Sequence, residues 1–335
     1  MHKHFLISRT DAIGDVILSL PVAAALKEKY PGCKITWIGK TYTEPILKAA
    51  VHVDHFMNYD QWLTLNEKQQ INELKALNAD VIIHIYPQKK LAVAAKKSNI
   101  PIRIGTSHRI FHWLTCNKLV PLGRKNSLLH ESQLNLRLCA PLGITVKPLS
   151  AFTLNDVALQ PTVSLPDSLS SLPDKNKIRV VLHPCSQGSA REWGTASFLQ
   201  LIHLLPADKF QIFVSGTKEE GEKLTAFFEE AGNKIINITG KLTLDQLLRF
   251  YTMCSGIVAA STGPLHICSA LGKNAIGIYP PIRPMHPGRW APIGPKATFL
   301  VAEKNCNDCR KNPASCVCMQ LVLPATVAQK ILQWE

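Results

Sequence analysis

The chain has 335 residues, with 38 Lys and Arg against 24 Asp and Glu and a hydrophobic content of 46%. That length suits two domains with full cores, and the composition is that of a globular protein. Residues 1–160 carry 20 basic and 11 acidic residues, which points to an anionic partner, but no zinc-finger, cold-shock or RNA-binding aromatic signature accompanies the charge and nucleic acid is not expected.

The first element is the apolar run His4–Ser8, a buried strand, followed by a loop and an apolar-periodic helix near 16–30. This is the layout of a nucleotide-binding unit, yet the loop offers Gly14 alone between Asp11 and Asp15, and two carboxylates repel a pyrophosphate. The same acids, with Arg9, interrupt the early apolar run, so no secretory segment is expected. The longest apolar stretch, around residues 16–26, falls short of the ~20 residues of a membrane span. A cytoplasmic protein is the expectation.

Further strands are expected at 34–38, 81–85 and 100–104, with helices near 69–78, 88–98 and 127–140. This alternation implies a mostly parallel sheet covered on both faces. Residues 153–177, rich in Pro, Ser, Asp and Asn, read as an interdomain linker. The pattern then restarts, with strands at 178–183, 210–215, 235–239, 256–260 and 275–279 and helices near 195–205, 218–231, 243–254 and 264–272. The expected fold is α/β, with two facing Rossmann-like doubly wound domains at 1–160 and 175–322. Ligands of such sheets sit beyond the carboxyl ends of the strands.

Three motifs fall at those ends. HPCSQGSAREW at 183–193 supplies Ser186, Ser189, Gly188 and Arg191, small groups and a cation suited to a diphosphate, with Trp193 as anchor. VSGTKEEGEKL at 214–224 opens a helix with Glu219 and Glu220. Either acid could accept ribose hydroxyls or simply favour the helix dipole. ASTGPLHICSALG at 260–272 places Thr262, Gly263 and Pro264 at a helix start and His266 in its first turn, where N–H groups bind anions. No G-x-G-x-x-G follows a strand, which disfavours a dehydrogenase.

Together with RTDAIGDVILSLP and YPPIRPMHPGRWAPIG, these motifs resemble glycosyltransferase family 9, the ADP-heptose:lipopolysaccharide heptosyltransferases, in the family's order over nearly the whole chain. The resemblance implies a GT-B fold, with acceptor bound by the first domain, nucleotide-sugar by the second, and a C-terminal helix at 323–335 crossing back to the first. It implies that Asp15 is the catalytic base; read from the residues alone, Asp15 serves equally as a base or as a helix N-cap. It assigns Ser186, Arg191, Glu219 or Glu220, Thr262, Gly263 and His266 to the donor. Arg283, His286 and Arg289 are candidate phosphate or acceptor contacts.

The implied reaction is inverting transfer of heptose from ADP-heptose to the lipopolysaccharide inner core, with no cofactor and no metal, since no Asp-x-Asp motif is placed to hold one. Two departures stand out: Ser261 where many members have Asp, and Arg191 where Lys is commoner. They keep open a transferase of another nucleotide sugar or a catalytically silent binding protein. Lys89, Lys90, Lys96 and Lys97 suggest weak peripheral attachment to an anionic inner-membrane surface. Of the ten cysteines, Cys306, Cys309, Cys316 and Cys318 form a cluster that could bind zinc, form disulfides or simply pack.

Overall fold

The computed structural model describes residues 3–124, 127–283, 285–303 and 317–334. The chain divides between Gln160 and Pro161 into two compact units. The first holds strands β1 (His4–Ser8), β2 (Lys34–Gly39), β3 (His55–Asn58), β4 (Val81–His84), β5 (Ile102–Thr106) and β6 (Lys118–Val120), in the spatial order β3-β2-β1-β4-β5-β6. The second holds β7 (Ile178–His183), β8 (Phe210–Val214), β9 (Ile236–Asn237), β10 (Gly256–Ala260), β11 (Asn274–Tyr279) and β12 (Ala297–Val301), ordered β12-β11-β10-β7-β8-β9.

All strand pairs are parallel. Counted within its own unit, each sheet has the order 3-2-1-4-5-6 of a doubly wound fold, so each has a switch point where chain direction through the sheet reverses. In the first unit this crevice lies between β1 and β4, with Ser8 opposite His84. In the second it lies between β7 and β10, with His183 opposite Ala259.

Central strands such as HFLIS and GIVAA are buried along their whole length, as parallel strands covered on both faces must be. Three strands escape the sequence reading. β3 and β12 lie at sheet edges and stay half exposed, so they lack a continuous apolar run, and β6 spans three residues. The helix expected over 16–30 is two helices, Ile13–Ile17 and Leu20–Lys29, because the chain breaks at Leu18 and Ser19 and restarts with Pro21, which tolerates only a first turn.

The start of the expected linker belongs to the first unit. Val51 N–H donates to Ala158 O at 3.1 Å and Gln160 N–H to Ala49 O at 2.7 Å. Of the expected C-terminal helix at 323–335, Pro324–Ile331 is helical, and its buried Val327, Ala328 and Ile331 join the core of the second unit, with Trp334 just beyond it. Gly256 makes room for that end, since a Cβ there would sit 2.5 Å from Asn274 O and 2.8 Å from the Trp334 ring. Among the described residues no helix is long and apolar enough to cross a membrane.

Candidate functional site

At the carboxyl end of β1 the chain enters helix Ile13–Ile17 with Ala12 as N-cap, so Asp15 is not the cap but the third helical residue. Its carboxylate there faces the positive end of the helix dipole. Arg9, 3% exposed, gathers three carboxylates: Nη2 donates to Asp15 Oδ1, Nε to Asp11 Oδ1 at 2.6 Å, and Nη1 to Glu131 Oε1 at 3.0 Å. Glu131 also accepts from Arg124 Nε at 3.2 Å, and Arg124 Nη2 donates to Asn135 Oδ1 at 2.7 Å.

Helix Glu131–Arg137 is tied to the end of the Asp15 helix, because Ser132 Oγ donates to Leu18 O at 2.7 Å and Asn135 Nδ2 to Ser19 Oγ at 2.9 Å. The segments that follow the flanking strands β2 and β4 pin the loop as well. Tyr42 Oη donates to Asp11 O at 2.6 Å, and Gln88 Nε2 to Thr10 Oγ1 at 3.0 Å.

Burial dominates the titration of this cluster. It pushes Asp15 above the usual carboxylate value, helped by Glu131 and opposed by Arg9 and Arg124. Asp11 is pushed up to about 6 by burial and by Asp15, against the pull of Arg9. Asp15 keeps about a fifth of its side chain exposed. An arginine-fixed carboxylate with raised proton affinity and an open edge is suited to take a proton from a hydroxyl. Arg9 and Glu131 were missed in the sequence. Arg9 reads there as an ordinary loop cation, and no local spacing links Glu131 to a loop 122 residues away.

In the second unit, the loops after β7, β8, β10 and β11 leave four neighbouring strands at one edge. The motif residues therefore share that edge. Ser186 is buried and its hydroxyl is used inside its own loop, donating to Ala190 O and Glu192 Oε1, both at 3.0 Å. Glu192, not singled out by sequence, also accepts from Ser186 N–H at 2.8 Å. Arg191 is half-buried. Trp193 anchors the loop, its Nε1 donating to Val322 O at 2.9 Å.

The two glutamates separate cleanly. Glu220 is buried and closes a capping box, with Oε2 accepting from Thr217 N–H at 2.8 Å and its own N–H donating to Thr217 Oγ1 at 3.2 Å. Glu219 is fully exposed, and its carboxylate is held below the usual value by its own backbone N–H and by Thr217. His183 Nδ1 meets Ser215 Oγ at 3.1 Å and Ser215 Oγ meets Tyr251 Oη at 3.0 Å, a buried polar chain that joins the starts of two motifs through Tyr251, which neither contains.

After β10, Thr262 is the N-cap of helix Gly263–Ala270, and its N–H and hydroxyl both turn back to Ala260 O, at 2.7 and 3.3 Å. The N–H groups of Gly263 and Leu265 precede the intrahelical ladder and face outward along the axis. His266 is buried within the helix rather than displayed at its mouth. After β11, Arg283 is exposed and His286 caps helix Pro287–Trp290 by accepting from Gly288 N–H at 3.0 Å. Burial, then Arg283, lowers the His286 pKa, and Arg289 lies 5.0 Å over the Trp290 ring. Cys306, Cys309 and Cys316 lie outside the described residues, while Cys318 is buried. Among the described residues no group of three or more His, Cys, Asp or Glu is placed to hold a metal.

Comparison with known proteins adds the chemistry. The sequence profile of glycosyltransferase family 9 (heptosyltransferase) matches residues 69–319. A Haemophilus influenzae protein whose name goes no further than glycosyltransferase is 28% identical, with 87% of this chain and 86% of that one covered. The lipopolysaccharide core heptosyltransferase OpsX of the same organism is 24% identical over 83% of this chain and 79% of its own. The solved structure of E. coli ADP-heptose lipopolysaccharide heptosyltransferase II superposes with a TM-score of 0.73 at 18% identity, covering 99% of each chain, and shares the two-domain GT-B fold. The profile match spans most of the chain, and this protein is therefore a glycosyltransferase belonging to family 9, the heptosyltransferases.

Proposed function

We propose that this enzyme is an inverting heptosyltransferase that moves heptose from ADP-heptose to the phosphate-bearing inner core of lipopolysaccharide. The names of its relatives support donor and acceptor. The observation that carries the mechanism is Asp15, partly open, clamped by a buried arginine and raised in proton affinity. An acceptor hydroxyl attacks the anomeric carbon from the face opposite ADP, its proton passes to Asp15, and the bond to the diphosphate oxygen breaks in the same displacement.

The second unit binds ADP. The outward N–H groups of Gly263 and Leu265 and the Arg191 guanidinium neutralise the diphosphate as it departs. Glu219, exposed in the first turn of the helix that follows β8, accepts the ribose hydroxyls, while Glu220 braces that helix. Thr262, Ser186 and His266 shape this edge from within, and Arg283, His286 and Arg289 border it. Ser261, in place of an acid, favours a second reading in which another nucleotide sugar is the donor. Weak attraction of the Lys89–Lys97 helix to anionic lipid keeps the enzyme at the membrane face where its acceptor resides.

Incubating the enzyme with a panel of nucleotide sugars and heptose-free inner-core acceptor tests the proposal. The expected result is nucleoside diphosphate release from ADP-heptose alone, with an inverted anomeric centre in the product by NMR. Retention of configuration, or turnover confined to another donor, contradicts it.

A further inference from the structure

Helix Ile110–Thr115 is amphipathic with its apolar face turned outward. Its inward face is fixed by buried His112, whose Nδ1 meets Thr106 O at 3.1 Å, and by buried Thr115. Gly105 beneath has no space for a side chain, since a Cβ there would sit 2.5 Å from His112 Nδ1. The helix therefore cannot roll its other face inward. That other face, at i, i+3 and i+4, carries Ile110, Trp113 and Leu114, which are 86%, 65% and 72% exposed. The Trp113 Nε1 donates to Ser107 O at 2.8 Å, which fixes the indole in place rather than leaving it to fold over the surface.

Three large apolar side chains held outward on one turn are a contact surface, unlike singly scattered ones. The charge around them identifies the partner. Residues 81–130 contain nine Lys and Arg and no Asp or Glu. The neighbouring helix Lys89–Lys97 buries Leu91, Ala92, Ala94 and Ala95 and turns Lys89, Lys90 and Lys96 outward, with Lys97 paired to Glu67, and Lys96 Nζ donates to Leu114 O at 2.8 Å, tying the basic helix to the apolar one. Arg109, exposed, precedes Ile110. An apolar wedge with an indole and a rim of cations is the chemistry of an interfacial element on an anionic lipid surface.

We infer that helix Ile110–Thr115 inserts Ile110, Trp113 and Leu114 into an anionic leaflet while the Lys89–Lys97 helix lies against its headgroups. The electrostatic attraction proposed above thereby gains an anchoring element. Both helices begin just after the carboxyl ends of β4 and β5, the same edge of the first sheet that carries Asp15. The surface belongs to the unit that carries Asp15, and it holds the enzyme at the leaflet where a lipid-linked acceptor lies. Only this last step rests on the transferase reading.

Co-sedimentation with phosphatidylcholine vesicles containing or lacking 30% phosphatidylglycerol, at two salt concentrations, tests the inference without any activity readout. The wild type should bind anionic vesicles about tenfold or more tightly than neutral ones. Replacing Ile110, Trp113 and Leu114 together by Ser should weaken that binding about tenfold with an unchanged melting temperature, and Lys89→Gln with Lys90→Gln and Lys96→Gln should remove the preference for anionic lipid. Brominated acyl chains should quench wild-type tryptophan fluorescence but not that of Trp113→Phe to the same extent. The triple serine variant should retain turnover on a water-soluble, deacylated acceptor and lose it on a vesicle-embedded one. Unchanged vesicle binding by the triple variant overturns the inference, and so does a wild-type dimer that the same substitutions convert to monomer without altering vesicle binding. Absence of turnover by the wild type on either acceptor would count against the transferase reading and leave the vesicle result standing.

Discussion

Arg9 Nη1 donates to Glu131 Oε1 at 3.0 Å, joining the loop after the first strand to a helix 122 residues further along the chain. Both side chains are almost wholly buried, and Arg9 also donates to Asp11, Asp15 and, at 3.5 Å, Asn135 Oδ1. Glu131 thus holds Arg9 in the orientation that holds Asp15.

Glu131→Gln is predicted to alter the pH profile as well as the rate. The groups facing Asp15 are Arg9 and Asp11 from its own loop, Glu131 and Arg124 from the far helix and the segment before it, and Tyr42 beside Asp11. Glu131 raises the proton affinity of Asp15, so removing its charge lowers it. The ascending limb of kcat/KM against pH should move to lower pH, with a reduced plateau because the base is weaker. A rate loss with an unmoved limb would assign Glu131 a purely structural role.

Arg9→Met should be among the most destabilising single changes in the first unit. It leaves Asp11, Asp15 and Glu131 clustered without their main counter-charge, and losing one partner of such a buried set costs about 3–5 kcal/mol. The carboxyls then hold protons more tightly folded than unfolded. Stability is fully present below their unfolded value near 3.8 and lost as pH rises through the folded one. Urea titrations should find the variant closest to wild type in acid and furthest from it at neutral pH.

The two glutamates after β8 should fail differently. Glu220→Ala removes a buried capping box and should lower stability by about 0.5–2 kcal/mol, with donor affinity following the loss of structure. Glu219→Gln touches an exposed carboxylate and should weaken ADP binding with an unchanged melting temperature. Calorimetry with ADP, alongside thermal melts, separates them. The reverse pattern would move the ribose contact to Glu220.

His84 supplies an acid-side prediction. It is fully buried at the switch point, neither ring nitrogen has a hydrogen-bond partner among the described residues, and burial pulls its pKa down to about 3. Its contribution is present above the unfolded value near 6.5 and lost as pH falls from there toward about 3. Compared with His84→Leu, the wild type should lose about 2 kcal/mol more between pH 7 and pH 5. Parallel curves for the two proteins would show that the folded ring titrates near its unfolded value, contradicting the shift.

Much of this was legible in sequence because the strands of a covered parallel sheet are uninterrupted apolar runs, as in HFLIS and GIVAA, and because strand ends carry the motifs. Edge strands β3 and β12 were not legible, since half-exposed strands mix polar and apolar residues. The candidate site was legible where its residues are local in sequence. Asp15 and the start of helix Gly263–Ala270 sit in short recognisable stretches. It was illegible where partners are distant, as with Arg9 and Glu131, or where a motif hydroxyl serves its own loop, as Ser186 does with Glu192. The Ile110–Thr115 helix was illegible for another reason: its spacing is that of a core helix, and only the fold reveals that the apolar face looks outward.

The most direct test is Asp15→Asn, measured for turnover with ADP-heptose and inner-core acceptor and, separately, for ADP affinity. Asp15 holds the third position of its helix and is not its cap, so the substitution leaves the N-terminal hydrogen bonds in place. The expected result is a fall in kcat of roughly 10²–10⁴-fold, the range for losing a general base, with ADP affinity within a factor of about two. Turnover near the wild-type rate would contradict it.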